Sequence, residues 1–537
     1  MIASLHKITS NGKKSIDFDV KSPFKTSINF QNSENYNSFD LEIVFSIPIV
    51  SFRNHDYQWV DINQNRIANS FCPKIIQLEN GTFVQANVNH GIWEIDAKQK
   101  SVLLWRFNPE LAHPITQYSG EINTKKIISA QTKHHFNIPL ALLFSKSNAV
   151  ELSRSAIPFS AIACFTDHCD YDTADNLKIQ REFFKKINIK TTKGFFVNHF
   201  SKREDNASYE NDAAELQLWE NDQHEMCYHS LTQSIREKSE ALAEFEQFQP
   251  PFPKASVWID HGFQPYNFTL FENNEIPKSY YESVLLTKGI KMLWNYIDAG
   301  NATIGTINQL DSNQFTLGNY YRSIQNLPFS KRMVLLVKNI IFHYDNDEFR
   351  VRNYIDALAF AKAVVKKKQM GAVFGLIRNV VPVIMMLLKV LFQWNSAKNK
   401  TFKMAKYSPI FFQHKISEKE FYVFQTIEMV DFKRALCKEN IDLLVKQSGL
   451  FIAHTYFSVN MNHYSGKLIN SDQTLNAEVV TNFKHLSEKI EQKSIWNPTL
   501  SQLLQHFKDF QSVVFDVDEK GVIFTENNFS LPLRNLQ

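Results

Sequence analysis

Residues Ala161–Thr173 read AIACFTDHCDYDT. The apolar run Ala161–Phe165 has the length and composition of a strand buried on both faces. Directly after it stand Asp167, His168, Asp170 and Asp172. Carboxylates crowded this way repel, raise one another's pKa values and lose hydration on burial unless a cation compensates. Asp with His suits Zn²⁺ or a similar divalent metal, through carboxylate oxygen and imidazole nitrogen. Asp167 and His168 are neighbours, so an extended backbone points them to opposite sides. Both reach one site only if the strand has already turned into its loop. Asp172 and Asp175 read as turn residues beside Thr173, the N-cap of an amphipathic helix over 174–187.

Outward from this stretch the pattern alternates. Thr191–Val197, Glu225–Tyr228 and Ala255–Ile259 are strand-like; Tyr209–Glu220, Ile235–Phe248 and Tyr280–Ala299 are helical. Such alternation predicts parallel strands with right-handed crossovers. Asp167, His199, His229 and Asp260 each follow an apolar strand, at intervals of 32, 30 and 31 residues. That is a comfortable length for one βα unit, and in a parallel α/β barrel all strand C-termini open on one rim. His229 ends its strand with Gln233 four residues on, while His224 falls at the opposite end. Far downstream, Leu450–His454 (LFIAH) is an apolar strand ending in His454, a residue able to supply the acid partner of a hydrolase.

The 537 residues suggest two or three domains. A composition 44% hydrophobic and 21% charged excludes disorder as the overall state. Net charge is +4, too small to mark a nucleic-acid binder. Five Cys, none in a CxxC pair, form no disulfide framework and suggest a reducing compartment. Met1–Ser15 lacks the apolar core of a secretory signal, so the expectation is cytoplasmic. Residues 1–150 read as a β-rich accessory domain with strands such as Leu41–Val50 and Ser101–Phe107. Its Trp59, Trp93 and Trp105 suit core or cross-strand packing better than a sugar-stacking platform.

Charge is distributed unevenly. Between Ala357 and Ser417 there are eleven Lys or Arg and no acid. Met370–Trp394 is apolar apart from Arg378 and Lys389, which share an eleven-residue spacing with Lys367 and Lys400. That spacing keeps them on one helix face, with about 20° of drift per step. Such a helix can lie in a membrane interface with its cations at the headgroups, making Arg378 and Lys389 candidate interface residues. A helix buried against the barrel or covering its mouth also fits. A span does not: the ten residues between the two cations fall short of the roughly 20 needed, and Pro382 kinks the helix. Nucleic acid is a poor partner because no aromatics interleave with the cations.

In order, these motifs resemble the polysaccharide deacetylase (NodB-homology) superfamily. Its first motif, Thr-Phe-Asp-Asp, is similar to Phe165-Thr166-Asp167-His168. Its second, Gly-His-Glu-Ile-Gly-x-His-Thr-x-x-His, aligns with Gln223–Gln233 and places His229 on the first metal-binding His. Its late strand-His motif is similar to Leu450–His454. The resemblance covers about residues 155–310 and 405–510 and implies an α/β fold, a distorted (β/α) barrel of the polysaccharide deacetylase type. The expected organisation is a β-rich domain over 1–150 and a barrel over 151–340 and 405–515. A basic, apolar helical insertion would occupy 341–404, and a β tail 516–537.

The resemblance further implies Asp167 as base, His454 as acid, and His168 and His229 as ligands of a divalent metal, Zn²⁺ foremost. His168 stands where the family has a metal-binding Asp, Gln233 where it has the second His, and Asp260-His261-Gly262 where its Arg-Pro motif is expected. Asp170 and His261 are the nearest residues to complete the metal set, and Asp260 and Gln233 are candidate substrate contacts. The implied function is metal-dependent amide hydrolysis, deacetylating an N-acetylated saccharide in polysaccharide or lipid-linked glycan metabolism. The implied setting is cytoplasmic, with peripheral contact at the inner membrane face through 370–394. The alternative, which Gln233 favours, is a degenerate barrel that binds saccharide or scaffolds surface-polysaccharide assembly.

Overall fold

The computed structural model describes all residues except 29–37, 120–123, 131–138, 269–277, 296–303, 326, 346, 394–401, 417–418, 430, 459–466 and 527–529. Its N-terminal part is two antiparallel sheets around one core. One runs from Gly12–Ser15 through Ile2–Thr9, Phe39–Phe45, Val102–Phe107 and Ile92–Ile95 to Arg66–Ala68. The other includes Ala141–Ser145, Phe83–Ala86, Ile75–Leu78 and Ile49–Arg53. In Phe39–Phe45 every second residue is buried, the period-two signature of a strand facing a core. Trp93 and Trp105 pair across neighbouring strands, edge to face at 6.0 Å and fully buried, so they hold the sandwich together.

The remainder centres on a ten-stranded sheet. In chain order its strands are β1 (Ala161–Asp167), β2 (Thr192–Phe195), β3 (Glu225–Tyr228), β4 (Val257–Trp258) and β5 (Met292–Trp294). They continue with β6 (Phe411–Ile416), β7 (Lys419–Phe424), β8 (Ile427–Glu428), β9 (Leu450–Thr455) and β10 (Ile495–Trp496). The spatial order is β6-β7-β5-β4-β3-β2-β1-β9-β8, with β10 beside β1. All pairings are parallel except β6 on β7. The longer helices include α1 (Ala174–Lys186), α2 (Tyr209–Asn221), α3 (Lys238–Gln247), α4 (Lys278–Thr287), α5 (Phe329–Asn339), α6 (Glu348–Lys367), α7 (Ala372–Gln393), α8 (Ala477–Glu491) and α9 (Leu500–Ser512). Thr173 caps α1 by accepting from the Asn176 N–H.

This topology corrects the expected deacetylase-type barrel. Among the described residues the sheet is open: β6 and β8 are its two ends and do not pair, and β6 runs antiparallel. The reason lies in what covers the two faces. Phe165, Tyr228 and Trp258 face a core shared with α1, α2 and α8. Ile162, Cys164, Cys227 and Ile452 face a second core shared with α9 and the N-terminal sandwich. A sheet whose second face is already filled by a helix and a β layer has no need to close on itself. The tail returns to the sandwich: Leu533–Leu536 pairs with Ala149–Leu152, and Arg53 and Arg534 both grip the buried Glu151.

Close packing of β1 and β2 yields a first prediction. A Cβ on Gly194 would sit 2.3 Å from the Asp167 carbonyl oxygen and 3.5 Å from His229 Cβ. Backbone cannot yield as a flexible side chain does, so Gly194→Ala should destabilise the chain by about 1–3 kcal/mol in urea unfolding. An unchanged midpoint would contradict this spacing.

Candidate metal centre

The parallel sheet brings the C-terminal ends of β1, β3, β4 and β9 to one rim, and four histidines gather there. His168 follows β1, and its N–H donates to the Thr455 carbonyl at 2.9 Å, tying the loop to β9. His229 follows β3 and His261 follows β4, while His454 lies within β9 in register with Thr166. One nitrogen or oxygen from each of His168, Asp170 and His229 lies within 4.8 Å of the others. His229 Nε2 is 2.9 Å from Asp170 Oδ2, and His261 Nδ1 is 2.8 Å from Asp170 Oδ1. The His261 Nε2 meets the Gln233 carbonyl at 2.7 Å, and His229 Nδ1 faces the Ile259 carbonyl at 3.3 Å. Aromatic walls enclose the group: Trp294 stands edge-on to His168 and His454, and Phe196 stacks on His229.

The electrostatics follow from burial and from Asp170. Burial pushes the His168 imidazole well below its usual range, and His454 and His229 nearby add to that. Burial also lowers His229, against the pull of Asp170. Burial alone would raise Asp170, but His261 and His229 hold it well below the usual carboxylate range. His261 is opposed by burial yet raised overall by Asp170 and by its hydrogen bonds to Asp170 and Gln233. Neutral His168 and His229 with an ionised Asp170 are the protonation states a divalent cation requires. The fit has a second mark: among the described residues His168 Nε2 is buried with no hydrogen-bond partner, an arrangement costly unless something else satisfies the atom. His261 contacts the same Asp170 from beside the His168, Asp170 and His229 group.

Two residues with expected roles stand elsewhere. Asp167 does not face the cluster, because alternation along β1 turns it to the other side of the sheet. Its carboxylate accepts from Lys193 Nζ, from Thr455 Oγ1 at 3.2 Å and from the Phe457 N–H at 3.3 Å. These bonds hold it on the side of β1 away from the histidines. Asp260 Oδ1 accepts from Trp258 Nε1 at 3.0 Å and the Phe268 N–H at 3.1 Å, which fixes the loop after β4. Gln233 enters through its main chain; its side-chain oxygen accepts from Ser201 and Ser234 hydroxyls at 3.1 and 3.0 Å. His454 lies flat against His168, ring centroids 3.8 Å apart at 15°. His199 is engaged with the Asn206 carbonyl, and His224 pairs with Thr191 at the far end of β3. Arg378 and Lys389 fall on α7.

Sequence reading missed Lys193. Its ammonium is fully buried among Asp167, Asp172 at 2.5 Å and Gln180 at 3.0 Å. The signal was available: a lysine inside the apolar run Thr191–Val197 must find carboxylates when the strand is buried. Asp172, read as a turn residue, is one of them.

No family model matches the chain, and no curated protein sequence does. Among solved structures it has weak similarity to a glycoside hydrolase family 97 enzyme from Pseudoalteromonas sp., at 10% identity and TM-score 0.24, covering 50% of this chain and 49% of that one. The complex of such an enzyme with acarbose gives 10% identity, TM-score 0.23 and the same coverage. The third is a Flavobacterium johnsoniae family 31 dextranase complexed with glucose, at 9% identity and TM-score 0.25, covering 95% of this chain and 65% of that one. The chain thus spans about half the length of the family 97 enzyme and 65% of the dextranase.

Proposed function

We propose that the rim of this sheet is the active site of a divalent-metal hydrolase acting on a saccharide, with an acetamido C–N bond as the bond cleaved. The observation carrying this reading is the His168, Asp170 and His229 group, whose ligand atoms lie within 4.8 Å of one another; among the described residues His168 Nε2 is also buried without a hydrogen-bond partner. The motif similarity at Phe165–His168, His229 and His454 supports the choice of substrate. His168, Asp170 and His229 would hold a Zn²⁺ ion, which when bound would polarise the carbonyl and lower the pKa of a water toward about 7. The chain's own residues do the rest. Asp170 stays ionised between two imidazoles, His261 holds a proton against it, and Trp294 with Phe196 excludes bulk water from the inner wall. His454, which reaches the rim from β9 and stacks on His168, serves the leaving amine.

A second reading has its own observation. Lys193 neutralises Asp167, the position the deacetylase motif uses as base, which favours a chain that binds saccharide without cleaving it. One experiment separates the two. Purified chain reconstituted with Zn²⁺ or Co²⁺ is incubated with N-acetylglucosamine oligosaccharides, and acetate release and saccharide binding are measured together. Hydrolysis predicts acetate release that a chelator abolishes and that His454→Gln lowers by about 10²–10⁴-fold, with metal content unchanged. Saccharide binding without acetate supports the second reading; absence of metal binding overturns the proposal.

A further inference from the structure

The outer face of α7 lacks the polar surface that a helix on a water-soluble protein presents. Val383 and Met386 point into the main core, so the inward face is accounted for. Phe374, Ile377, Ile384 and Met385 nevertheless point outward, with Phe374 78% exposed, and Phe392 at the end of the helix is 89% exposed. A helix apolar on both sides is expected inside a protein or against something else. The neighbouring α6 adds exposed Leu358 and Val365, and Met370 caps the turn between the two. The helices are locked together, since a Cβ on Gly375 would meet the Phe360 ring at 2.7 Å. The hairpin is therefore a preformed surface.

Charge decides what covers it. Arg378 is exposed on the same outward stripe, and Lys366, Lys367 and Lys368 stand exposed at the end of α6. The helix dipole accounts for Lys366 and Lys367 at a C-terminus, but not for Arg378 within α7. No acidic residue occurs between Ala357 and Ser417. A second copy docking through this face would be related by a two-fold axis and would set like charges against like. A lipid surface with anionic headgroups complements both features, taking the apolar side chains between acyl chains and the cations at phosphate. No described helix is long and apolar enough to cross a membrane, and Pro382 interrupts α7, so the hairpin lies in the plane.

We infer that the α6–α7 hairpin docks flat on an anionic bilayer surface. The inference is independent of the metal centre. The test is flotation of the full chain with vesicles of phosphatidylcholine alone and of phosphatidylcholine with about a third phosphatidylglycerol. Binding to the second and not the first is expected, weakening as salt rises. Replacing Phe374, Ile377 and Met385 with Ser should lower the partition coefficient at least about tenfold. Arg378→Gln with Lys366→Gln should lower it about fivefold per charge. Because these side chains are exposed, the thermal midpoint should not move; Phe374→Ser alone serves if the triple variant does not fold. Equal binding to neutral vesicles, or no binding, overturns the inference. So does a wild-type dimer in sedimentation equilibrium that the Ser variant converts to monomer.

Discussion

Lys193→Met is expected to lower the unfolding free energy by about 3–5 kcal/mol, the cost of breaking a buried ion pair by removing one partner. The ammonium is the cation held between Asp167 and Asp172, both buried. Methionine fills the volume but leaves two carboxylates in an apolar sheet. The pH dependence gives the prediction a second handle. Burial pushes Asp167 up to about 7, with Lys193 pulling the other way. A carboxyl raised in the folded state favours folding while protonated. Its contribution is complete below its unfolded value of 3.8 and is lost as pH rises through about 7. Removing Lys193 raises Asp167 further, so the deficit should be smaller at about pH 5 than at about pH 8. Adding Asp167→Asn and Asp172→Asn should restore part of it. A loss below about 1 kcal/mol in urea unfolding at pH 8 would show that the network does not form.

His168→Ala and Asp170→Asn should each weaken Zn²⁺ or Co²⁺ binding by more than the 10–100-fold typical of losing an outer-shell partner. Calorimetric titration or the Co²⁺ visible spectrum measures this. His261→Gln, which removes only the group orienting Asp170, should fall within that range. Wild-type affinity should rise with pH. Asp170 raises His261 above the ordinary imidazole value of 6.5, so it keeps its proton against Asp170 to higher pH than a free imidazole would. Without metal, the His261 contribution to stability is present below 6.5 and lost as pH rises beyond its folded value. The Asp170 contribution is present above 3.8 and lost as pH falls through its depressed value. The pair thus stabilises the metal-free chain most between those limits. Stabilisation by added metal should grow above them, reaching about 2.7 kcal/mol at a hundredfold excess over Kd. Affinity independent of pH, or unaffected by His168→Ala, would remove the metal centre from these residues.

Much of this arrangement was legible in the linear order. The parallel strands ending before His168, His229 and His261 came from short apolar runs separated by helical patterns, because burial on both faces imposes that composition. The rule that neighbours on a strand face opposite ways already warned that Asp167 and His168 would part. Which of the two would reach the rim was decided only when β2 laid Lys193 under β1, an encounter across 26 residues of chain. One partner of Asp260 was hidden for a similar reason: the Phe268 N–H reaches it only once the loop after β4 has folded back.

From the sequence alone follow the strand-helix alternation, the donor types at the rim and the basic, acid-free stretch, because each depends on local composition and period. Only the tertiary structure decided that the sheet stays open and that Asp170 stands between His229 and His261. It alone also left an apolar side of α7 facing outward. Those outcomes depend on which surfaces meet, and partners far apart in the chain leave no local trace of the contact they will make.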